Sequence, residues 1–188
     1  MLRITGGIYR GRTLLTPPQD QTRPTQAKLR QALFNSLQTL IPEARVLDLF
    51  AGSGALGFEA LSRGAKEVVF VEIARPVSKL IEKNAEVLKV KESVTLISDS
   101  VESALKKLER LDPFDLILAD PPYEEGWEMK LLLEWPWQSL LSEGGCFCLE
   151  WGLKKSQVSE LPEEIPFLVK IREKNYGDSV LTTYRKRN

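Results

Sequence analysis

Residues 45–57 read Arg45-Val46-Leu47-Asp48-Leu49-Phe50-Ala51-Gly52-Ser53-Gly54-Ala55-Leu56-Gly57. A short apolar run of strand type leads into a turn carrying Gly52, Gly54 and Gly57. Phe58-Glu59-Ala60-Leu61-Ser62-Arg63 follows with helical spacing and stops at Gly64. A strand, a glycine turn and a helix in this order build a site for a nucleotide-like ligand, because backbone can be approached closely and the helix start exposes unpaired N–H groups.

Downstream of Arg45, strand-like and helical segments alternate. Strands are predicted at 45–50, 67–72, 94–98, 114–119, 144–150, 166–172 and 179–185, and helices at 54–63, 76–89, 101–110 and 127–141, with a short one near 153–160. This alternation predicts an α/β fold: a doubly wound, Rossmann-like sheet of seven mostly parallel strands with helices on both faces. The last two strands have no helix-length spacer, so they should form an antiparallel pair. Leu161-Pro162-Glu163-Glu164-Ile165-Pro166 reads as a loop.

Upstream, residues 2–15 alternate apolar stretches with Gly6-Gly7 and Gly11, the pattern of a small hairpin or β-arm. Thr16-Pro17-Pro18-Gln19-Asp20-Gln21 reads as a connector. Leu29, Leu33, Leu37 and Leu40 then recur on one helical face, with Thr25 as the expected N-cap and Pro42 marking the end. The expected division is a basic β-arm and helix over 1–42 and a main domain over 43–188.

The chain of 188 residues has formal net charge zero, yet residues 1–31 hold six bases (Arg3, Arg10, Arg12, Arg23, Lys28, Arg30) against one acid, Asp20, leaving 20 bases and 25 acids in the remainder. A basic arm on an acidic body suggests that a polyanion docks at the N-terminal end. Histidine is absent, which removes the commonest general base and metal ligand together. Cys146 and Cys148 sit two apart in a strand-like run, where a disulfide would be badly strained, so both are expected to be reduced core residues and no metal site is expected. The N-terminus lacks the apolar stretch of a secretory signal, and the expected location is the cytoplasm.

Ligands of such sheets sit at the carboxyl ends of the strands. Those ends read Asp48 with the glycine turn, Glu72, Asp99, Asp120-Pro121-Pro122-Tyr123, and Glu150-Trp151. Gly52-x-Gly54-x-x-Gly57 satisfies the dinucleotide fingerprint, with Glu72 placed as a ribose-binding acid 20 residues after Gly52. Asp48 argues for another ligand. A carboxylate at the mouth of the turn would repel a pyrophosphate and attract a cation, such as the ammonium and sulfonium groups of S-adenosylmethionine. Asp99 suits an adenine amino group, or alternatively the N-cap of the next helix.

In Asp120-Pro121-Pro122-Tyr123 the two prolines lack N–H groups and fix φ, so the segment leaves the ladder with its carbonyls held rigid. A carboxylate beside a fixed carbonyl offers two acceptors, matching the two hydrogens of an exocyclic amino group, and Tyr123 offers a flat face for a base.

The pair of motifs is similar to the class I methyltransferases that modify exocyclic amino groups, and the whole chain closely resembles the RsmD family. The resemblance runs through Arg3-Ile4-Thr5-Gly6-Gly7, Gly11-Arg12, Arg23-Pro24-Thr25, Leu33-Phe34-Asn35, Val46 to Gly57, Glu59 to Ala65, Asp120 to Tyr123 and Tyr176-Gly177. It implies methyl transfer from S-adenosylmethionine to N2 of one guanine in 16S ribosomal RNA, with S-adenosylhomocysteine as product. The alternative acceptors are adenine N6 and a protein amide; a nicotinamide-dependent oxidoreductase and a non-catalytic RNA-binding protein are the readings from other classes. The implied cofactor residues are Asp48, Phe50, Ala51, Gly52, Ser53, Gly54, Gly57, Glu72 and Asp99; the implied catalytic residues are Asp120, Pro121, Pro122 and Tyr123. RNA contacts are expected from Arg3, Arg10, Arg12, Arg23, Lys28 and Arg30, within a 30S subunit or assembly intermediate, the enzyme acting as a monomer. Lys28 and Gln31 stand where the family usually has arginine and glutamate.

Overall fold

The computed structural model describes residues 1–18, 24–123, 125–153, 156 and 158–187, apart from the side chains of residues 24 and 25. Arg23 and residues 19–21 of the expected connector lie outside the described residues. β1 (Leu2–Arg3) and β2 (Thr13–Leu14) pair antiparallel as the expected hairpin. α1 (Pro24–Ser36) begins at Pro24, so Thr25 lies in its first turn instead of capping it. A proline suits that position because its fixed φ is helical and its missing N–H would have no helical partner.

The alternation continues as β3 (Arg45–Leu49), α2 (Ala55–Ser62), β4 (Glu67–Val71), α3 (Arg75–Leu88), β5 (Val94–Ile97), α4 (Val101–Leu108), β6 (Phe114–Ala119), α5 (Trp127–Glu134), α6 (Trp137–Leu140) and β7 (Leu141–Gly152). It ends with β8 (Glu164–Ile165), β9 (Leu168–Tyr176) and β10 (Ser179–Lys186). The main sheet has the order β5-β4-β3-β6-β7-β10-β9-β8. Strands β3 to β7 are parallel, and β10, β9 and β8 join antiparallel.

Three expectations change. Among the described residues the sheet has eight strands, because Glu164–Ile165 in the expected loop pairs with Leu168–Val169. Pro166 and Phe167 (φ 69°) form the turn between them, a proline followed by a residue of positive φ. The helix expected over 127–141 is two helices, since Pro136 removes an N–H and leaves Trp135 extended (φ −88°, ψ 142°). Among the described residues of 153–160 none is helical.

Burial on both faces explains the apolar runs of the parallel strands. Leu47, Leu49, Val69, Val71, Ile117, Phe147 and Leu149 face one core, shared with α4, α5 and α6. Val46, Val68, Phe70, Leu116, Leu118, Cys146 and Cys148 face the other, shared with α1, α2 and α3. Both cysteines are free and buried, and burial raises their thiol pKa values, that of Cys148 to about 12.

Gly57 is where α2 meets β4. A Cβ there would lie 2.2 Å from Phe70 Cε1 and 2.8 Å from Val68 Cγ1. Gly57→Ala is therefore expected to destabilise by about 2 kcal/mol through overpacking, outweighing the gain of up to about 1 kcal/mol in helix propensity. The urea midpoint reads this directly, and an unchanged midpoint would refute it.

The N-terminal segment is docked, with Leu2, Ile4 and Leu14 in the second core. Ile8 and Tyr9 donate their N–H groups to the carbonyl and hydroxyl of Ser62, and Leu15 exchanges two hydrogen bonds with the Asn84 amide. Among the described residues no helix is long and apolar enough to cross a membrane.

Candidate active site

A cavity of about 650 Å³ opens at the carboxyl ends of the central strands, lined by Phe50, Glu72, Asp99, Ser100, Asp120, Pro121, Pro122, Tyr123 and Trp127 among others. A smaller one of about 160 Å³ adjoins it, lined by Asp48, Ala51, Gly52, Ser53, Arg30 and Glu150; Gln26, Phe50 and Asp120 border both. Gly54 and Gly57 line neither cavity, and instead shape the turn from below.

Strand register assembles this site. Ala119 lies opposite both Leu49 and Leu149, so Asp120 and Glu150 follow at the same level. Asp48, one residue before Leu49, shares the face of Val46, which is covered by the N-terminal helix. Three carboxyl groups thus converge under α1.

Asp48 is almost completely buried, and its Oδ2 accepts the Gly57 N–H at 2.8 Å. It holds the glycine turn closed. Burial, and secondarily the nearby Glu72, raise its pKa to about 8 against the lowering effect of the Gly57 N–H. The carboxyl is therefore a turn anchor first, which corrects the expectation of a carboxylate displayed at the mouth.

Glu72 accepts the N–H of Gly52 through Oε2 (2.8 Å) and that of Ala74 through Oε1 (2.7 Å). Each oxygen keeps a further lone pair, and Glu72 lines the larger cavity. Asp99 is not the N-cap of α4: Ser100 is, its hydroxyl accepting the Ser103 N–H at 3.2 Å. Asp99 stands beside it at the rim, bonded to the Ser100 N–H and to Lys107, whose ammonium holds its pKa below the usual range.

Phe50 adopts φ 58°, the left-handed region that a bulky residue enters only under constraint. Its ring meets Trp127 edge-on at 4.9 Å, which fixes the wall between the cavities.

No described residue hydrogen-bonds or ion-pairs with the Asp120 side chain. Burial, then Glu150, then Asp48 raise its pKa well above that of an ordinary aspartate. Glu150 is raised too, mainly by burial, and the two groups titrate as a pair. Glu150 accepts the Tyr123 hydroxyl at 2.9 Å, and Ser179 Oγ lies 3.2 Å from the same hydroxyl. The Tyr123 ring rests on Gly152, where a Cβ would come within 2.8 Å of its Cδ2. Glu150 was visible in the sequence as a strand-end acid but had no assigned role. Trp127 and Gln26 carried no motif at all.

Of the expected RNA-contacting residues, Arg3, Arg10, Arg12 and Lys28 are exposed and Arg23 lies outside the described residues. Arg30 does not fit that expectation. It is only 5% exposed, donates to the Arg3 carbonyl at 2.8 Å and pairs with the fully buried Glu59 at 3.5 Å. The structure also separates the exposed bases. Lys28 lies near the cavities, whereas the hairpin loop before Arg10 binds the last residue of α2, about 12 Å of helix rise from the glycine turn.

A family model described as Conserved hypothetical protein 95 matches residues 2–185. A ribosomal RNA small subunit methyltransferase D of Haemophilus influenzae is 41% identical over 123 residues, spanning 65% of this chain and 64% of that one. A putative rRNA methyltransferase of Bacillus subtilis, YlbH, is 33% identical over 187 residues, 99% of this chain and 100% of its own length. Among solved structures, a putative methyltransferase of Escherichia coli superposes with TM-score 0.80 at 30% identity, covering 99% of this chain and 98% of its own.

Proposed function

The chain belongs to the family described as Conserved hypothetical protein 95, the RsmD family of methyltransferases, and from that premise we propose that it methylates the exocyclic N2 of one guanine in 16S ribosomal RNA, using S-adenosylmethionine. The observation that carries the reading is Asp120: a half-buried carboxyl with no partner among the described residues, at a cavity it shares with Glu72, Asp99 and Tyr123.

The residues fit the cofactor. Gly52 leaves nothing within 4 Å of where a Cβ would stand, so ligand atoms can lie against the turn. Asp48 lines the small cavity beside Gly52 and Ser53, and burial and the nearby Glu72 oppose its ionisation. A cation bound there would favour the ionised carboxylates. Glu72, held by two backbone N–H groups, would accept from the ribose hydroxyls, and Asp99 from the adenine amino group. When bound, the cofactor supplies an electrophilic methyl group on a sulfonium.

The chain's own residues do the rest. Asp120 and the Pro121 carbonyl would accept the two N2 hydrogens, drawing the lone pair out of the purine ring and toward the methyl group as those bonds strengthen. Tyr123, tied to Glu150 and seated on Gly152, offers its ring to the base, which must be unstacked to enter. Positioning supplies much of the remaining acceleration.

The test is incubation with labelled S-adenosylmethionine and either naked 16S RNA or 30S particles from cells lacking the gene, followed by mapping of the modified nucleoside. N2-methylguanine at one position is expected; N6-methyladenine or no incorporation would overturn the reading. Neutralising Arg3, Arg10 and Arg12 together should flatten the salt dependence of RNA binding by about 2 in log–log slope, about 0.7 per phosphate contact, with cofactor affinity unchanged. An unaltered slope would exclude these residues from the interface.

A further inference from the structure

The antiparallel hairpin β9–β10 sorts its charges by face. On the Trp151 side, Lys170 is neutralised by Glu163 at 2.8 Å and Glu173 at 3.3 Å, and Glu173 also accepts the Thr182 hydroxyl. On the opposite side, which faces α1, stand Arg172, Lys174 and Arg185, all exposed and with no acidic partner among the described residues. Lys174 lies over the Tyr176 ring at 5.4 Å, and Arg185 reaches the Cys146 thiol.

Register gives these cations a direction. Lys174 pairs across to Leu181, which pairs with Glu150, so it stands level with the carboxyl that holds Tyr123. Arg172 is level with Cys148 and Arg185 with Cys146, in successive steps of about 6.6 Å down the sheet, at about 3.3 Å per residue. The row ends in a groove of about 300 Å³ between Ser36 at the end of α1, with Leu37 and Leu40 of the turn that follows, and Ile171, Arg172 and Arg185. α1 runs alongside, from Gln26 at the catalytic cavity to Ser36 at this groove.

We propose that Arg172, Lys174 and Arg185 form a second phosphate-binding track, which guides an RNA strand flanking the target nucleotide from the cavity mouth down into the α1–β9 groove. This rests on the RNA methyltransferase reading of the cavity. The occupant is a nucleic-acid strand because three cations in a row match a polyanion, and the groove at the end of the row adds the hydroxyls of Ser36, Thr39 and Thr183 to the Arg172 and Arg185 guanidinium groups. The loop of the basic N-terminal hairpin lies elsewhere, bound through Ile8 and Tyr9 to Ser62 at the end of α2, so it would hold a different part of the RNA.

The experiment compares wild type with the triple variant Arg172→Ala, Lys174→Ala, Arg185→Ala, measuring affinity for transcribed 16S RNA across a salt series. Cofactor affinity and thermal melting serve as controls for folding. A fall of about 2 in the log–log salt slope is expected, at about 0.7 per lost phosphate contact, with the double variant Arg172→Lys, Arg185→Lys retaining the wild-type slope. An unchanged slope, while wild type still methylates the RNA, overturns the track alone. An unchanged slope on naked RNA with weaker binding to 30S particles also overturns it, in favour of a ribosomal-protein contact. If wild type transfers no methyl group yet the variant's slope falls, the track stands and the catalytic reading fails; if wild type does not bind RNA, both fail.

Discussion

Asp120→Ala is expected to lower methyl transfer at least about 10³-fold while leaving S-adenosylmethionine affinity near that of the wild type, because the change removes the acceptor that acts on the nucleophile and not the groups that hold the cofactor. Asp120 has no hydrogen-bond partner among the described residues, so its loss breaks no visible structural bond and should not unfold the protein. Single-turnover rates with labelled cofactor, beside calorimetric cofactor binding, separate the two effects. Substantial residual turnover would remove Asp120 from the catalytic role.

The same carboxyl carries a pH signature. Only its ionised form accepts both strongly and without a proton of its own, and burial first and Glu150 second raise its pKa, so turnover should climb with pH as the Asp120–Glu150 pair loses its proton. Glu150→Gln removes the neighbouring negative charge, and the acid limb should move to lower pH. A shift upward, or none, would mean that Glu150 does not act on Asp120 electrostatically.

Glu59→Ala is expected to cost about 3–5 kcal/mol of folding stability, the typical loss when one partner of a buried ion pair is removed. Glu59 is 0% exposed and takes up four groups from three segments: Thr5 through its N–H and hydroxyl at 2.7 Å each, Arg63 at 2.8 Å and Arg30 at 3.5 Å. Without it, the buried Arg30 guanidinium keeps only the Arg3 carbonyl among its described partners. Glu59→Gln, which retains an acceptor but not the charge, should lie between. Equilibrium urea unfolding measures both; a loss below about 1 kcal/mol for the alanine variant would show that the network contributes no more than an exposed pair does.

The glycine turn, the strand ends and the Asp120-Pro121-Pro122-Tyr123 segment were legible in the sequence because each rests on local covalent constraint: positive φ, a missing N–H, or the change from period two to helical period. The split of α5 from α6 had its signal in Pro136. The pairing of Glu164–Ile165 did not stand out, since a two-residue strand has no periodicity to read. Arg30 and Lys28 look alike in a count of basic residues, yet one is buried against Glu59 and the other is exposed.

That contrast separates the two levels of information. The order of elements and the reactive groups at the strand ends follow from the chain itself, because apolar spacing, glycine and proline act within a few residues. Which charges meet was decided only by tertiary packing. α1 covers one face of the sheet, and strand register brings Asp48, Asp120 and Glu150 together beneath it, so burial and repulsion among distant residues give these carboxyls properties that none has alone.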